Sequence, residues 1–185
     1  SQRADLRQAD AKDLPFPDNR FDRCLSLLVV NFIADAPAAM REMLRVTRPQ
    51  GVVAAAVWDY GAGMEMLRTL WDTAIELDPS AEALHERNMP YCREGELSEL
   101  WSESGFVGVE EKPLDAMVTF DSFDDYWQPF LTGVGPSGAY VSSMPPDGQA
   151  RLREELRKKL APAGEHLPIS AGVRAWAVRG SVPLD

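Results

Sequence analysis

The sequence predicts an α/β fold built on a doubly wound, Rossmann-like sheet, and three adjoining stretches carry that expectation. Asp22 to Val30 is nearly continuous apolar sequence after its first two residues and ends in β-branched side chains, as a strand covered on both faces does. Asp35-Ala36-Pro37 then opens a helix, with Asp35 as N-cap and Pro37 in the first turn. Met40, Met43, Leu44 and Thr47 recur there at helical spacing, while Arg41, Glu42 and Arg45 take the other side. Val52 to Trp58 is the next strand, Ala-rich and β-branched. Strand, helix, strand in one run is the βαβ unit, with a right-handed crossover expected.

The other elements follow in order. Ala4 to Ala9 reads as a short strand with Asp10 at its end. Pro15 and Pro17 exclude a helix interior or a central strand, and Asp18-Asn19 adds turn chemistry, so Asp10 is expected at a rim. Met64 to Leu77 is a helix with Met66, Leu67, Leu70, Trp71, Ala74 and Ile75 on its apolar face, and Ala81 to Arg87 a further short helical turn. Glu94 to Ser104 is another helix, stopped by Gly105. Phe106 to Glu111 and Leu114 to Phe120 read as two strands. Ser122 caps an aromatic helix start, Gly133 to Gly138 reads as a loop, Gly148 to Leu160 as a charged helix, and Ala171 to Val178 as the last strand.

Composition narrows the function. The net charge of −10 opposes a nucleic-acid surface, which needs a Lys/Arg footprint. No apolar run reaches the roughly 20 residues of a membrane span, and the first residues lack a signal peptide's apolar region, so a cytoplasmic, soluble protein without a membrane partner is expected. Two cysteines, Cys24 and Cys92, are too few for a disulfide framework; Cys24 reads as a small core residue and Cys92 as a free thiol. His85 and His166 stand without neighbouring Cys or metal-spaced carboxylates, so no metal is expected.

The stretch Asp10-Ala11 followed by Leu14-Pro15-Phe16-Pro17-Asp18-Asn19-Arg20-Phe21-Asp22 resembles the class I S-adenosylmethionine-dependent methyltransferases, closest to the small-molecule, quinone-biosynthesis type. Glu42 to Gly51, with its Pro-Gln-Gly close, is similar to the family's helix-to-strand hairpin, and Val30-Asn31-Phe32 to the segment after its fourth strand. The resemblance returns at Val173 to Val178. It implies S-adenosylmethionine as cofactor, with the Asp10 carboxylate accepting from the adenine amino group and the Ala11 backbone meeting a ring nitrogen. It makes Leu27 and Asn31 wall contacts of the cofactor, and assigns Phe32, Trp58, Tyr126 and Trp127 to a small organic acceptor. No dedicated base is implied, because the sulfonium is already activated and in-line positioning supplies much of the catalysis; no catalytic residue is named.

The family's acidic-Gly-x-Gly-x-Gly loop has no counterpart. Gly61-Ala62-Gly63 and Gly133-Val134-Gly135 lie elsewhere in the order of elements. Against the family's strand order 3-2-1-4-5-7-6, the first two strands are expected to be absent, and cofactor binding by these residues alone to be weak. The core is expected over 1–120 and 168–180, with 121–167 as an aromatic cap. A homo-oligomer is expected, joined by sheet edges or by the Met/Trp face of the helix from Met64 to Leu77. The competing reading is a non-catalytic, methyltransferase-derived binding or regulatory module; a Rossmann dehydrogenase stands third, since its fingerprint is missing too.

Overall fold

The computed structural model describes residues 4–184 and divides into two compact units. The first takes Ser1–Val57, Glu94–Pro113 and Trp176–Asp185, the second Trp58–Arg93 and Leu114–Ala175. In chain order the elements are β1 (Phe21–Leu27), α1 (Ala36–Val46), β2 (Thr47–Trp58), α2 (Glu65–Leu77), α3 (Glu96–Glu103), β3 (Val107–Phe120), α4 (Phe123–Trp127), α5 (Gly135–Ser143), α6 (Pro146–Leu160) and β4 (Ile169–Ser181). The four strands lie in the order β1-β2-β4-β3. This is the 4-5-7-6 portion of the expected order.

The β1–α1–β2 unit forms as its sequence predicts. Asp35 caps α1, its carboxylate accepting from the Ala38 amide at 3.0 Å. The helix buries Ala36, Ala39, Met40, Met43 and Val46. β1 and β2 pair in parallel, Arg23 opposite Val52 through Leu27 opposite Ala56. At the entrance to β2 the backbone of Gln50 takes φ 64°, and a Cβ on Gly51 would stand 2.5 Å from the Thr47 methyl and 2.7 Å from the Arg48 carbonyl oxygen. Only glycine passes there. β4 runs against β2: the Gln50 amide donates to the Val182 carbonyl at one end, and the Asp59 amide to the Arg174 carbonyl at the other.

Several expectations change. No strand forms over 4–9, because among the described residues no neighbouring strand pairs with this stretch. The strand expected from Asp22 to Val30 ends at Leu27, and it lies at the sheet edge rather than covered on both faces: Leu25 is 73% and Leu27 74% exposed. The two strands expected between Phe106 and Phe120 are one, β3, with Pro113 inside it; an edge strand tolerates a proline because its outer amides need no partner. The loop expected from Gly133 to Gly138 is helix from Gly135 on, since Pro136 suits the first turn of α5, with Gly133 at positive φ ahead of the helix and Gly135 at positive φ as its first residue.

In the first unit, α3 places Leu97, Leu100 and Trp101 inside, and the Trp101 indole N–H donates to the Val53 carbonyl at 3.1 Å. Gly105 stops the helix at φ 95°, as expected. The second unit has its own core of Leu70, Trp71, Phe123, Tyr126, Phe130 and Leu152 with their neighbours. The Met/Trp face of α2 is therefore covered within its own unit.

Candidate functional site

In the first unit, α1 builds a clamp on the turn that precedes β1. The Arg45 guanidinium forks onto Glu42, Nε to Oε1 at 2.7 Å and Nη2 to Oε2 at 2.7 Å. It also donates to the carbonyls of Phe16 at 2.9 Å and Leu14 at 3.1 Å and to the Asp18 carboxylate at 2.7 Å. Glu42 in turn accepts from the Leu14 amide at 2.8 Å. A forked guanidinium with carbonyls on its remaining donors is a rigid arrangement. The pair holds the Glu42 carboxyl down at about 2, with the Arg45 hydrogen bonds as the largest cause and burial opposing.

Upstream of this clamp, Asp10 is exposed and turns the chain. Its carbonyl accepts from the Asp13 amide at 3.0 Å and its Oδ1 from the Lys12 amide at 2.9 Å. Its Oδ2 faces the Lys12 ammonium at 3.8 Å. Ala11 beside it is half-buried. The carboxylate oxygen that is not engaged by a backbone amide can accept from an exocyclic amine, and the small Ala11 side chain leaves its backbone approachable; these groups fit an adenine edge.

Leu27 ends β1 with its side chain in solvent, and the chain leaves the strand through Leu28 at φ 57°. A left-handed leucine is strained, and the Leu28 amide is fixed by the Ala56 carbonyl at 2.8 Å. This strain sits at the carboxyl end of a parallel strand, where ligands bind in open α/β sheets. The sequence gives no hint of it. A short 3₁₀ turn, Val30–Phe32, follows, with Asn31 buried and Phe32 half exposed.

In the second unit, Trp58 ends β2 half-buried and Asp59 closes the turn after it, its Oδ1 accepting from the Ala62 amide at 2.9 Å. Tyr126 and Trp127 are buried in the core of this unit, and the Tyr126 hydroxyl donates to the Met66 carbonyl at 2.9 Å. The Tyr126 ring also lines a cavity of about 180 Å³ with Met66, Thr69, Phe120 and Ile169.

A polar cluster that sequence reasoning missed lies in the same unit. Glu86, 3% exposed, accepts from the Trp71 indole N–H at 2.9 Å through Oε2, and from the Ser137 amide at 3.3 Å and hydroxyl at 3.4 Å through Oε1. Burial pushes its carboxyl up, and the three donors partly offset that. His85 stacks on Trp71 at 5.4 Å between ring centroids. Its Nδ1 accepts from the Arg87 amide at 3.0 Å, which leaves the ring proton on Nε2. Tyr60 is pushed up to about 12 by burial and then by the nearby Glu86 and Cys92. Cys92 is buried, its thiol donating to the Met89 carbonyl at 2.9 Å. Ser137 also lines a groove of about 650 Å³ with Asp125, Gln128, Pro129, Phe130, Thr132 and Val134. Among the described residues no group of three or more His, Cys, Asp or Glu is placed to hold a metal ion, and no helix is long and apolar enough to cross a membrane.

The strands β1-β2-β4-β3, with the last strand of the chain antiparallel to β2, lie in the order that a Rossmann-like methyltransferase sheet gives its 4-5-7-6 portion. Known proteins share parts of this sequence and this fold. The methyltransferase domain family matches residues 1–55. A malonyl-[acyl-carrier protein] O-methyltransferase of Halorhodospira halophila is 32% identical over 99 residues, 54% of this chain and 30% of its own. The mitochondrial arginine-hydroxylase NDUFAF5 of Danio rerio is 34% identical over 103 residues, again 30% of its length. A Bacillus halodurans structure solved as that of a candidate methyltransferase superposes with a TM-score of 0.54 at 16% identity, covering 98% of this chain and 79% of that one. The likeness to class I S-adenosylmethionine-dependent methyltransferases is thus borne out, in sequence near the N-terminus and in fold over almost the whole chain. The chain spans less than a third of the length of these two curated relatives.

Proposed function

We propose that the protein transfers the methyl group of S-adenosylmethionine to a small organic acceptor in the cytoplasm. The observation that carries this reading is the segment from Asp10 to Asp22, which lies inside the stretch matched to the methyltransferase domain and is clamped onto α1 by Arg45 and Glu42. In this reading Asp10 and the Ala11 backbone hold the adenine edge, and Leu27 and Asn31 border the methionine half beside Phe32. When bound, the cofactor supplies a methyl group already activated on a sulfonium. Segment 121–167 serves as the cap and 1–120 with 168–180 as the core, with Trp58 as the half-buried residue left to meet an acceptor, since Tyr126 and Trp127 are packed inside the second unit.

Calorimetric titration of S-adenosylhomocysteine into the full-length protein tests this. Asp10→Ala is expected to weaken binding by about 1–3 kcal/mol, the cost of leaving a polar group unpaired. Wild-type protein that takes up no S-adenosylhomocysteine refutes the reading, and unchanged affinity in the variant removes Asp10 from the site.

A further inference from the structure

We propose that Arg45, Glu42 and Arg7 are positioning residues for the cofactor: they fix turn 10–13 from both of its stems, so that the Asp10 carboxylate stands ready for the adenine amine before any ligand arrives. The inference rests on the methyltransferase reading for the identity of the ligand only; the positioning is read from the bonds around the turn.

All five N–H donors of Arg45 are in use. Two meet Glu42, and the other three go to the Leu14 and Phe16 carbonyls and the Asp18 carboxylate. Glu42 Oε2 in turn takes the Leu14 amide at 2.8 Å. From the upstream side, Arg7 donates to the Pro15 carbonyl at 3.0 Å and lies over the Phe16 ring, 4.9 Å from its centroid. Residue 7 before the turn and residue 14 after it are thus tied to the same short stretch, and turn 10–13 is the tip between them. The tip closes through the Asp13 amide on the Asp10 carbonyl, and Asp13 adjoins Leu14, which Glu42 holds.

The tip's own ion pair is the weaker anchor. Lys12 and Asp10 face each other at 3.8 Å with both side chains largely in water, where such a pair contributes little. Arg45 and Glu42 meet at 2.7 Å and are better covered. The order of the tip therefore comes from its stems. A ligand that must first order an exposed turn gives up affinity to the entropy lost, and one that finds the turn already set does not.

Two measurements on the full-length protein test this, the first without ligand. Amide exchange at Lys12 and Asp13, both bonded to Asp10, is expected to quicken about threefold or more in Glu42→Gln and in Arg7→Gln, the worth of one weak hydrogen bond. Arg7 is exposed, so its variant leaves the fold intact. The second is calorimetry with S-adenosylhomocysteine and with its analogue carrying hydrogen in place of the 6-amino group. Wild type is expected to hold S-adenosylhomocysteine about tenfold tighter than the analogue, the worth of one hydrogen bond to a carboxylate. Asp10→Ala is expected to abolish this preference. Glu42→Gln, Arg7→Gln and Arg45→Lys, whose ammonium cannot fork, are expected to cut it to about threefold or less. A merely structural role would weaken both ligands alike and leave the ratio untouched. A full preference kept in Glu42→Gln and Arg45→Lys, no preference in wild type, or exchange at Lys12 and Asp13 as slow in the variants as in wild type would each overturn the proposal. Wild type that takes up neither ligand refutes the methyltransferase reading, and the exchange measurement then decides the positioning by itself.

Discussion

Arg45 and Glu42, one helical turn apart on α1, meet as a two-pronged ion pair at 2.7 Å and 2.7 Å and together hold the turn of Leu14, Phe16 and Asp18. The helix that supplies the crossover between β1 and β2 is thus also the anchor of the acidic segment ahead of β1. Local helix chemistry and the position of Asp10 are coupled through these two side chains.

Glu42→Gln is the matching prediction. It keeps the shape and removes the charge that three donors share. The expected result is a melting temperature lower by roughly 2–4 °C at neutral pH, with faster amide exchange at Leu14. The native pair holds the carboxyl at about 2 against an ordinary 4.5, so its contribution is complete above 4.5 and fades as pH falls through about 2. The difference between wild type and variant should therefore shrink in acid. A difference independent of pH down to 2 would show that the ion pair is not its source.

Tyr126→Phe tests whether this ring is core. Its hydroxyl donates to the Met66 carbonyl inside the aromatic core of the second unit, and burial pushes the hydroxyl's pKa above the ordinary value. Met66 lies in α2, where its carbonyl also accepts within the helix, so removing the oxygen takes away a second donor at a cost of about 0.5–1.5 kcal/mol. Denaturant unfolding measures it; a cost near zero would mean that the carbonyl finds another donor.

What could be read in advance follows from how far each determinant reaches along the chain. The caps at Asp35 and Ser122 involve bonds to residues three positions on, and both form. The stop at Gly105 is equally local. The Glu86 cluster is not: its partners lie 15 and 51 residues away, on α2 and α5, and no spacing in the sequence joins them. The reading of β1 failed for a different reason. A continuous apolar run reports an affinity for cover on both faces, and it cannot report that the strand lies at the edge of this sheet with Leu25 and Leu27 outward. The left-handed turn at Leu28 was equally unreadable, because leucine has no preference for that conformation. Of the residues assigned in advance, Tyr126 and Trp127 sit in the core of the second unit, whereas Asp10 presents its carboxylate to solvent.

The exposed face of β1 carries its own prediction. Apolar edge strands can recruit further chains, and lysine is the usual guard against it. Leu25→Lys with Leu27→Lys should lower concentration-dependent association in sedimentation. The melting temperature should move by no more than about 2 °C, because both side chains are largely in water. Association unchanged in the double variant would remove this face as its cause.

His85 supplies the last prediction, because its two ring nitrogens have different fates. Nδ1 accepts from the Arg87 amide at the start of a 3₁₀ turn, Glu86–Asn88, and the ring stacks on Trp71. Nε2 is buried without a hydrogen-bond partner among the described residues. Protonation would require Nδ1 to give up its amide and a second charge to enter the core, so burial, and then the charge of Arg87, lower the affinity for the proton; Glu82 and Asp72 oppose them more weakly. The sign of the linkage follows. The unfolded chain binds a proton near 6.5 and the folded chain only below that, so the neutral ring contributes in full above 6.5 and its contribution is lost as pH falls from there. The neighbouring Glu86 runs in the opposite sense, its raised carboxyl favouring the fold more in acid than at neutrality, at pH values above the ordinary 4.5. His85→Asn separates the two. Asparagine caps the same turn through its side-chain oxygen and does not titrate. Between pH 7.5 and 5.5 the melting temperature of wild type should fall more steeply than that of the variant, whatever the offset between them. Parallel curves across that window would mean that the ring takes up its proton in the folded chain as readily as in the unfolded one.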